Sequence, residues 1–106
     1  MKTKILALCM ALFSLPASAL TTQTNVTVKN FGTQGTVAYL ALNQTLLDTC
    51  KYNLLYTPDV STTQGKMIYT ALLIAATQGK TIGRIDYTKN PSTEICSISL
   101  VQFSGS

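Results

Sequence analysis

The chain has 106 residues, of which 46% are hydrophobic and 11% charged, and it carries a formal net charge of +4 without a single histidine. This length suits one domain rather than two, and the lack of histidine excludes Ser-His and Cys-His nucleophile pairs. The basic residues form no cluster typical of a nucleic-acid-binding face, so we expect no nucleic-acid partner.

Residues 1–19 have the pattern of a cleaved secretory signal peptide. Lys2 and Lys4 precede an uncharged apolar run at 5–15, and small residues close the segment. The run is shorter than the roughly 20 apolar residues that span a bilayer, so we expect no membrane insertion. The mature chain would be one secreted domain, residues 20–106, located outside the cell or in the periplasm. Its net charge would be 8 − 2 − 4 = +2, because two of the eight basic residues leave with the signal peptide.

Cysteine usage then predicts one disulfide. Cys9 would leave with the signal peptide, so that Cys50 and Cys96 are the two cysteines of the mature chain. In an oxidising compartment these two are expected to pair. A bridge over a loop of this length contributes about 4 kcal/mol on the chain-entropy argument. The alternative is a pair of free buried thiols.

The first half of the mature chain is rich in predicted strands. Residues 24–30 and 36–43 form two strands joined by a glycine-containing turn at 31–35, which together predict a β-hairpin. Both faces of the second strand are apolar, which indicates a central position or a small closed barrel. A stretch at 44–49 is ambiguous, and a short third strand is predicted at 52–56.

The clearest local pattern is that of a helix. It is predicted to begin after Ser61 as N-cap, with Gln64 completing a capping box, and to end at Gly79 as C-cap. The apolar residues expected to face the core are Ile68, Tyr69, Leu72, Leu73 and Ala76. Met67 and Ile74 lie on the otherwise polar side. They predict either a contact with a neighbouring subunit or a monomer whose loops cover them.

Two further strands are predicted at 81–88 and 94–103, separated by a turn at 89–93. The resulting order is three strands, one helix and two strands. It predicts a β-rich α+β fold, a small five-stranded OB-like barrel with one long helix between strands three and four. The competing architecture is an open α+β sandwich with the helix across one face of the sheet.

Little catalytic equipment is present, and we expect no enzyme activity, catalytic residue, cofactor or metal site. The four carboxylates show no calcium-loop spacing. Gly65 and Lys66 lack the other residues of a P-loop and are expected in the first helical turn. Five tyrosines stand among many neutral polar residues, a mixture that suits recognition of sugars. The alternative is that these tyrosines pack at the core edge with their hydroxyls in water.

The segment from the helix to the last strand resembles the B subunits of bacterial AB5 toxins. The resemblance covers residues 61–101 and includes the strand TIGRIDY at 81–87 and the strand EICSISL at 94–100. It is shared with the cholera-type enterotoxin, pertussis-type and subtilase-type B subunits. It implies a secreted OB-fold that assembles as a homopentameric ring, binds cell-surface glycans and accompanies a toxin A subunit.

The enterotoxin-type glycan site implies specific positions here. It uses an aromatic residue at the end of the strand after the helix, followed by Asn and Lys in the next turn. Tyr87, Lys89 and Asn90 stand in the comparable place, with the order of Lys and Asn reversed. The disulfide departs from that type, in which the bridge joins the N-terminal region to the strand after the helix. In these rings the central helix contacts neighbouring subunits, a role that Met67 and Ile74 would take.

The sequence thus predicts a secreted, non-catalytic, glycan-binding module that forms a ring. The alternative is a secreted or envelope protein with a structural or interaction role, such as an inhibitor or assembly component, with the same fold and no sugar site.

Overall fold

The computed structural model describes residues 19–104, which form six strands and one long helix. The strands are β1 (Leu20–Val26), β2 (Val28–Gln34), β3 (Val37–Leu42), β4 (Leu55–Tyr56), β5 (Ile82–Lys89) and β6 (Cys96–Gln102), and the helix is α1 (Thr63–Gln78). The predicted signal peptide lies outside the described residues except for Ala19. Within the described part of the chain, no helix combines the length and apolar character needed to cross a membrane.

All six strands belong to one mixed sheet with the order β1-β5-β6-β4-β3-β2. Neighbouring strands are antiparallel except for the parallel pair β4 and β6. The predicted β-rich α+β class with one helix between the third and fourth predicted strands is confirmed. The predicted closed five-stranded barrel is not, because β1 and β2 end the sheet on opposite sides and do not pair with each other within residues 19–104.

The single first strand predicted at 24–30 is divided into two. Asn25 adopts a left-handed backbone with φ of 54°, a conformation that Asn tolerates better than most residues. At Thr27 the chain changes partner, since β1 pairs with β5 and β2 pairs with β3. The turn predicted at 31–35 is also wrong. β2 continues through most of it, and the hairpin turns at the two residues Gly35 and Thr36, with a φ of 60° at the glycine.

Most of the later strands agree better with the bounds predicted from the sequence. β3 lies between β4 and β2, as its two apolar faces predict, and β5 and β6 fall within two residues of their expected bounds. β4 is much shorter than predicted. Residues 51–53 form a short 3-10 turn instead of its beginning, because Tyr52 has a φ of 61° that no strand accommodates.

The helix N-cap is Thr62 rather than the predicted Ser61. The Thr62 hydroxyl accepts a hydrogen bond from the Gly65 N–H at 3.0 Å, whereas the Ser61 hydroxyl donates to Asp59 Oδ1 at 2.7 Å. Gly65 lies in the first turn of α1, as expected, and a side chain there would collide with the Asp59 carbonyl. The C-cap at Gly79 is confirmed, with a left-handed φ of 61°.

One ridge of α1 packs on the sheet and forms the core with it. The buried ridge is Gly65, Ile68, Leu72 and Ala75. Leu73, predicted to face the core, is 38% exposed because the buried stripe is narrower than predicted. The predicted disulfide is confirmed: Cys50 and Cys96 are bonded and both are buried in this core. The bridge ties the segment before β4 to the first residue of β6.

Candidate functional site

Tyr87, the aromatic residue predicted to contact a glycan, lies in the core. Its side chain is 0% exposed. Its hydroxyl donates to Gln23 Oε1 at 2.6 Å and accepts from the Asp48 N–H at 3.4 Å. Burial raises the pKa of this hydroxyl, which therefore stays a donor. The ring presents no free face to a ligand, so its contribution is to hold the loop around Asp48 against the sheet.

Lys89 and Asn90, the other two residues of that predicted site, lie at the end of β5. The Lys89 ammonium is 3.8 Å from Asp48 Oδ1. The Asn90 side-chain oxygen accepts from the Ser92 N–H at 2.9 Å and shapes the turn that follows. The three predicted residues thus lie within four positions at the end of β5 and the start of its turn, but they do not surround one shared opening, because Tyr87 is buried in the core.

Met67 and Ile74, the predicted interface residues, do lie together. Met67 is 68% exposed, and both side chains line a shallow groove on the outer side of α1. This surface, called here the helix groove, is formed by Lys66, Met67, Thr70, Ala71, Ile74 and Phe103 and has a volume of about 420 Å³. It places two exposed apolar side chains beside an aromatic ring.

The most unusual backbone of the described residues surrounds the disulfide. Tyr52 and Asn53 have φ values of 61° and 55°, and Glu94 has a φ of 62°. For non-glycine residues such conformations cost of order 1–3 kcal/mol each and persist where the surroundings impose them. Here the Lys51 N–H donates to the Glu94 carbonyl at 2.8 Å, next to the Cys50–Cys96 bridge. The two strained segments are thus fastened to each other.

That backbone presents the Tyr52 side chain to solvent. Its ring is 73% exposed, and the Lys51 ammonium lies 5.4 Å from the ring centroid. Tyr52 forms one wall of a cleft of about 380 Å³, called here the Tyr52 cleft, lined by Gln34, Val37, Tyr52, Tyr56, Thr57, Ile95 and Ser97. The volume is within the range of small-molecule sites. The lining contains no charged side chain.

The walls of the Tyr52 cleft come from three parts of the fold. Gln34 ends β2, Tyr56 belongs to β4, and Ser97 is the second residue of β6. The Tyr56 ring packs against Tyr39 with centroids 6.3 Å apart. The cleft therefore combines a fixed aromatic ring, an exposed aromatic ring and neutral hydrogen-bonding groups on one surface.

No protein-family model, curated protein or solved structure matches this chain. The chemistry of its own clefts is the ground for a functional conclusion.

Sequence reasoning did not single out Tyr52. Tyrosine gives no sign that its backbone will be left-handed, and the residue lay inside a predicted strand. The one local signal is Asn53 directly after Tyr52, since Asn is enriched in left-handed conformations. The turn at 89–93, which holds two residues of the predicted glycan site, is nevertheless close to the Tyr52 cleft. The Asn90 N–H donates to the carbonyl of Ile95, and Ile95 lines the cleft.

Proposed function

We propose that this protein is a secreted, non-catalytic binding module that holds a glycan in the Tyr52 cleft. The observation that carries the proposal is the exposed Tyr52 ring, kept at a costly backbone conformation beside Tyr56. A strained residue that points an aromatic ring into solvent is an arrangement that favours a functional role over a packing role.

The chemistry of the cleft matches a sugar. Pyranose rings have apolar faces that cover aromatic rings, and their hydroxyls need neutral donors and acceptors around the rim. Tyr52 and Tyr56 supply the rings, and Gln34 and Ser97, both exposed, supply an amide and a hydroxyl. No lining residue is charged, which suits neutral sugars, and the Lys51 ammonium beside the Tyr52 ring could also pair with an acidic sugar.

The strand order supports an OB-like architecture for this module. β1 and β2 end the sheet on its two sides, yet only Thr27 separates them in the chain. If β1 and β2 are counted as the two halves of one bent strand, the sheet has five strands, and α1 lies between the third and the fourth. That arrangement fits the partly open five-stranded barrel of the OB-fold.

The test replaces Tyr52 with a residue that suits its backbone but lacks the ring. Tyr52→Asn should keep the free energy of unfolding within about 1 kcal/mol of the wild type, because Asn relieves left-handed strain while a cation–π contact is lost. Binding to the best ligand from an array of neutral and acidic oligosaccharides should be abolished. Calorimetric titration and urea unfolding measure the two effects.

Leu47→Asn is the matched control, because Leu47 is exposed to the same degree and lies outside the cleft. It should bind like the wild type. If Tyr52→Asn also binds like the wild type while Lys89→Ala does not, the site belongs to the β5 turn and the Tyr52 cleft is the wrong assignment.

The second candidate is an interaction protein of the cell exterior with no sugar site. The helix groove favours it, since exposed apolar side chains there suit a protein partner. An array without any bound glycan would move this candidate to first place.

A further inference from the structure

β6 is unpaired along most of one edge. β5 pairs with it from Cys96 to Gln102, but on the other side β4 pairs with only Cys96 and Ser97. Within residues 19–104, no backbone hydrogen bond joins the remaining stretch, 98–102, to a partner on the β4 side. At about 3.3 Å per residue this leaves roughly 16 Å of free strand edge.

The edge is free because the chain leaves β6 immediately after β4. The Thr57 N–H donates to the Ala38 carbonyl at 2.8 Å, and the Val60 N–H donates to the Thr36 carbonyl at 2.9 Å. The chain therefore follows β3 instead of continuing beside β6. It then enters α1, whose first half faces residues 99–101 of β6 across a cleft.

The cleft between β6 and α1 has a volume of about 650 Å³. One side is Ser99, Leu100 and Val101 of β6, and the other is the first half of α1, including Gln64 and Met67. We call it the β6 groove. Its lining contains neither a charged residue nor a proline, the two kinds of residue with which proteins commonly block an exposed strand edge. It shares no residue with the Tyr52 cleft.

We infer that the β6 groove binds an extended peptide segment of another protein by strand addition. A row of alternating N–H and C=O groups is matched along its length by another strand, which gains main-chain hydrogen bonds while alternate side chains enter the adjoining groove. Because the groove is uncharged and partly apolar, the segment should carry uncharged side chains with an apolar residue at every second position. This binding is independent of the proposed glycan site.

A pair of backbone-methylated peptides tests the inference directly. The probe is a fluorescent, capped seven-residue peptide of alternating threonine and valine. One derivative carries N-methyl groups at the second, fourth and sixth residues, and the other at the third and fifth, so that each blocks one edge of the strand. In strand addition, one derivative should bind within about threefold of the parent. The other should bind at least about tenfold more weakly, because it loses two or three hydrogen bonds. Fluorescence anisotropy gives the affinities.

Three results would overturn the inference: no binding of the parent peptide at millimolar concentration, equal binding of all three peptides, or equal loss with both derivatives. Equal binding would indicate contacts through side chains alone.

Matched variants of α1 locate the site. Gln64→Trp should fill the β6 groove and weaken the parent peptide at least about tenfold, while Gln78→Trp, at the exposed far end of the same helix, should leave its affinity unchanged. Tyr52→Asn should also leave it unchanged, which separates this site from the glycan site. If Gln64→Trp instead dissociates an oligomer and the peptide does not bind, a second copy of the chain occupies the edge and the peptide assignment fails.

Discussion

Asp86 is a buried carboxylate that links two strands through its side chain. Its Oδ1 accepts from the Thr22 hydroxyl at 2.7 Å, and Arg84 donates to both carboxylate oxygens at 3.1 and 2.9 Å. The hydrogen bonds from Arg84, with a smaller contribution from Thr22, hold the pKa of Asp86 below its ordinary value against the opposing effect of burial. The charged form therefore stabilises the folded state and fastens β1 to β5.

The sign of this shift predicts an acid-dependent stability. A carboxyl whose pKa is lowered on folding contributes stability above its unfolded pKa, near pH 4, and loses it as the pH falls through the folded pKa. Asp86→Asn should be less stable than the wild type at neutral pH, and the two should converge under acid conditions. Urea unfolding over a pH series measures this. Asp59, whose pKa is lowered by hydrogen bonds from Ser61, accounts for part of the remaining dependence. If the free energies of unfolding of the wild type and Asp86→Asn differ by the same amount at every pH, the charge of Asp86 does not contribute to stability.

At the scale of single residues, the sequence predicted the disulfide partners better than it predicted the exposure of side chains. The pairing of Cys50 with Cys96 followed from the expected loss of Cys9 with the signal peptide, which leaves two cysteines, and the structure confirms the bond. Tyr87 and Tyr52 look alike in sequence, yet one is in the core and the other in solvent. The difference depends on strand register, which tertiary contacts decide, and on a left-handed backbone, for which Asn53 is the only local signal.

At the scale of elements, the N-cap of α1 can be tested by removing each of two neighbouring hydroxyls in turn. Thr62 caps the Gly65 N–H, so Thr62→Ala should lower the free energy of unfolding by about 1 kcal/mol. Ser61→Ala should cost less, because its hydroxyl bonds only to the exposed Asp59. Equal losses in thermal or urea unfolding would show that both hydroxyls share the cap.

The exposed side of α1 predicts self-association. We propose that Met67 and Ile74 in the helix groove contact a neighbouring copy in a ring, with a homopentamer as the expected state. Met67 also borders the β6 groove, so the ring contact and an added strand would lie side by side on α1. Light scattering on the purified protein should give a multiple of the monomer mass, and Met67→Glu should reduce it to the monomer. Leu47→Glu, a charge added at an equally exposed apolar residue elsewhere, should not change the mass. A monomeric wild type would contradict the ring.

The elements differ in how much their sequence determines them. α1 was predictable because its caps and apolar spacing are local, and Gly79 ends it where expected. β1 and β2 were merged because alternation continues through Thr27, while the change of partner from β5 to β3 is a long-range event. The free edge of β6 was likewise invisible, since nothing within β6 indicates that β4 will be two residues long.

At the scale of the whole molecule, the disulfide connects stability to the candidate site. It joins residues 46 apart in sequence, and the strained residues Tyr52 and Glu94 lie within two positions of its cysteines. A domain of this size has a total stability of about 4–13 kcal/mol, so a bridge that contributes about 4 kcal/mol is a large share of it.

Removing the disulfide should therefore lower the stability of the fold and loosen the strained backbone that shapes the Tyr52 cleft. The double variant Cys50→Ala, Cys96→Ala should lose about 4 kcal/mol in urea unfolding, and it should lose glycan binding under conditions in which α1 is still formed by circular dichroism. Wild-type protein reduced while unfolded and refolded with its thiols free is the control, because it keeps the sulfur atoms in the core. If the reduced protein is as stable as the oxidised one while the double variant is not, the packing of Cys50 and Cys96 stabilises the core and the cross-link does not. If the reduced wild type and the double variant lose stability and glycan binding to the same extent, the cross-link holds the strained backbone in place, since such strain persists only where the surroundings impose it.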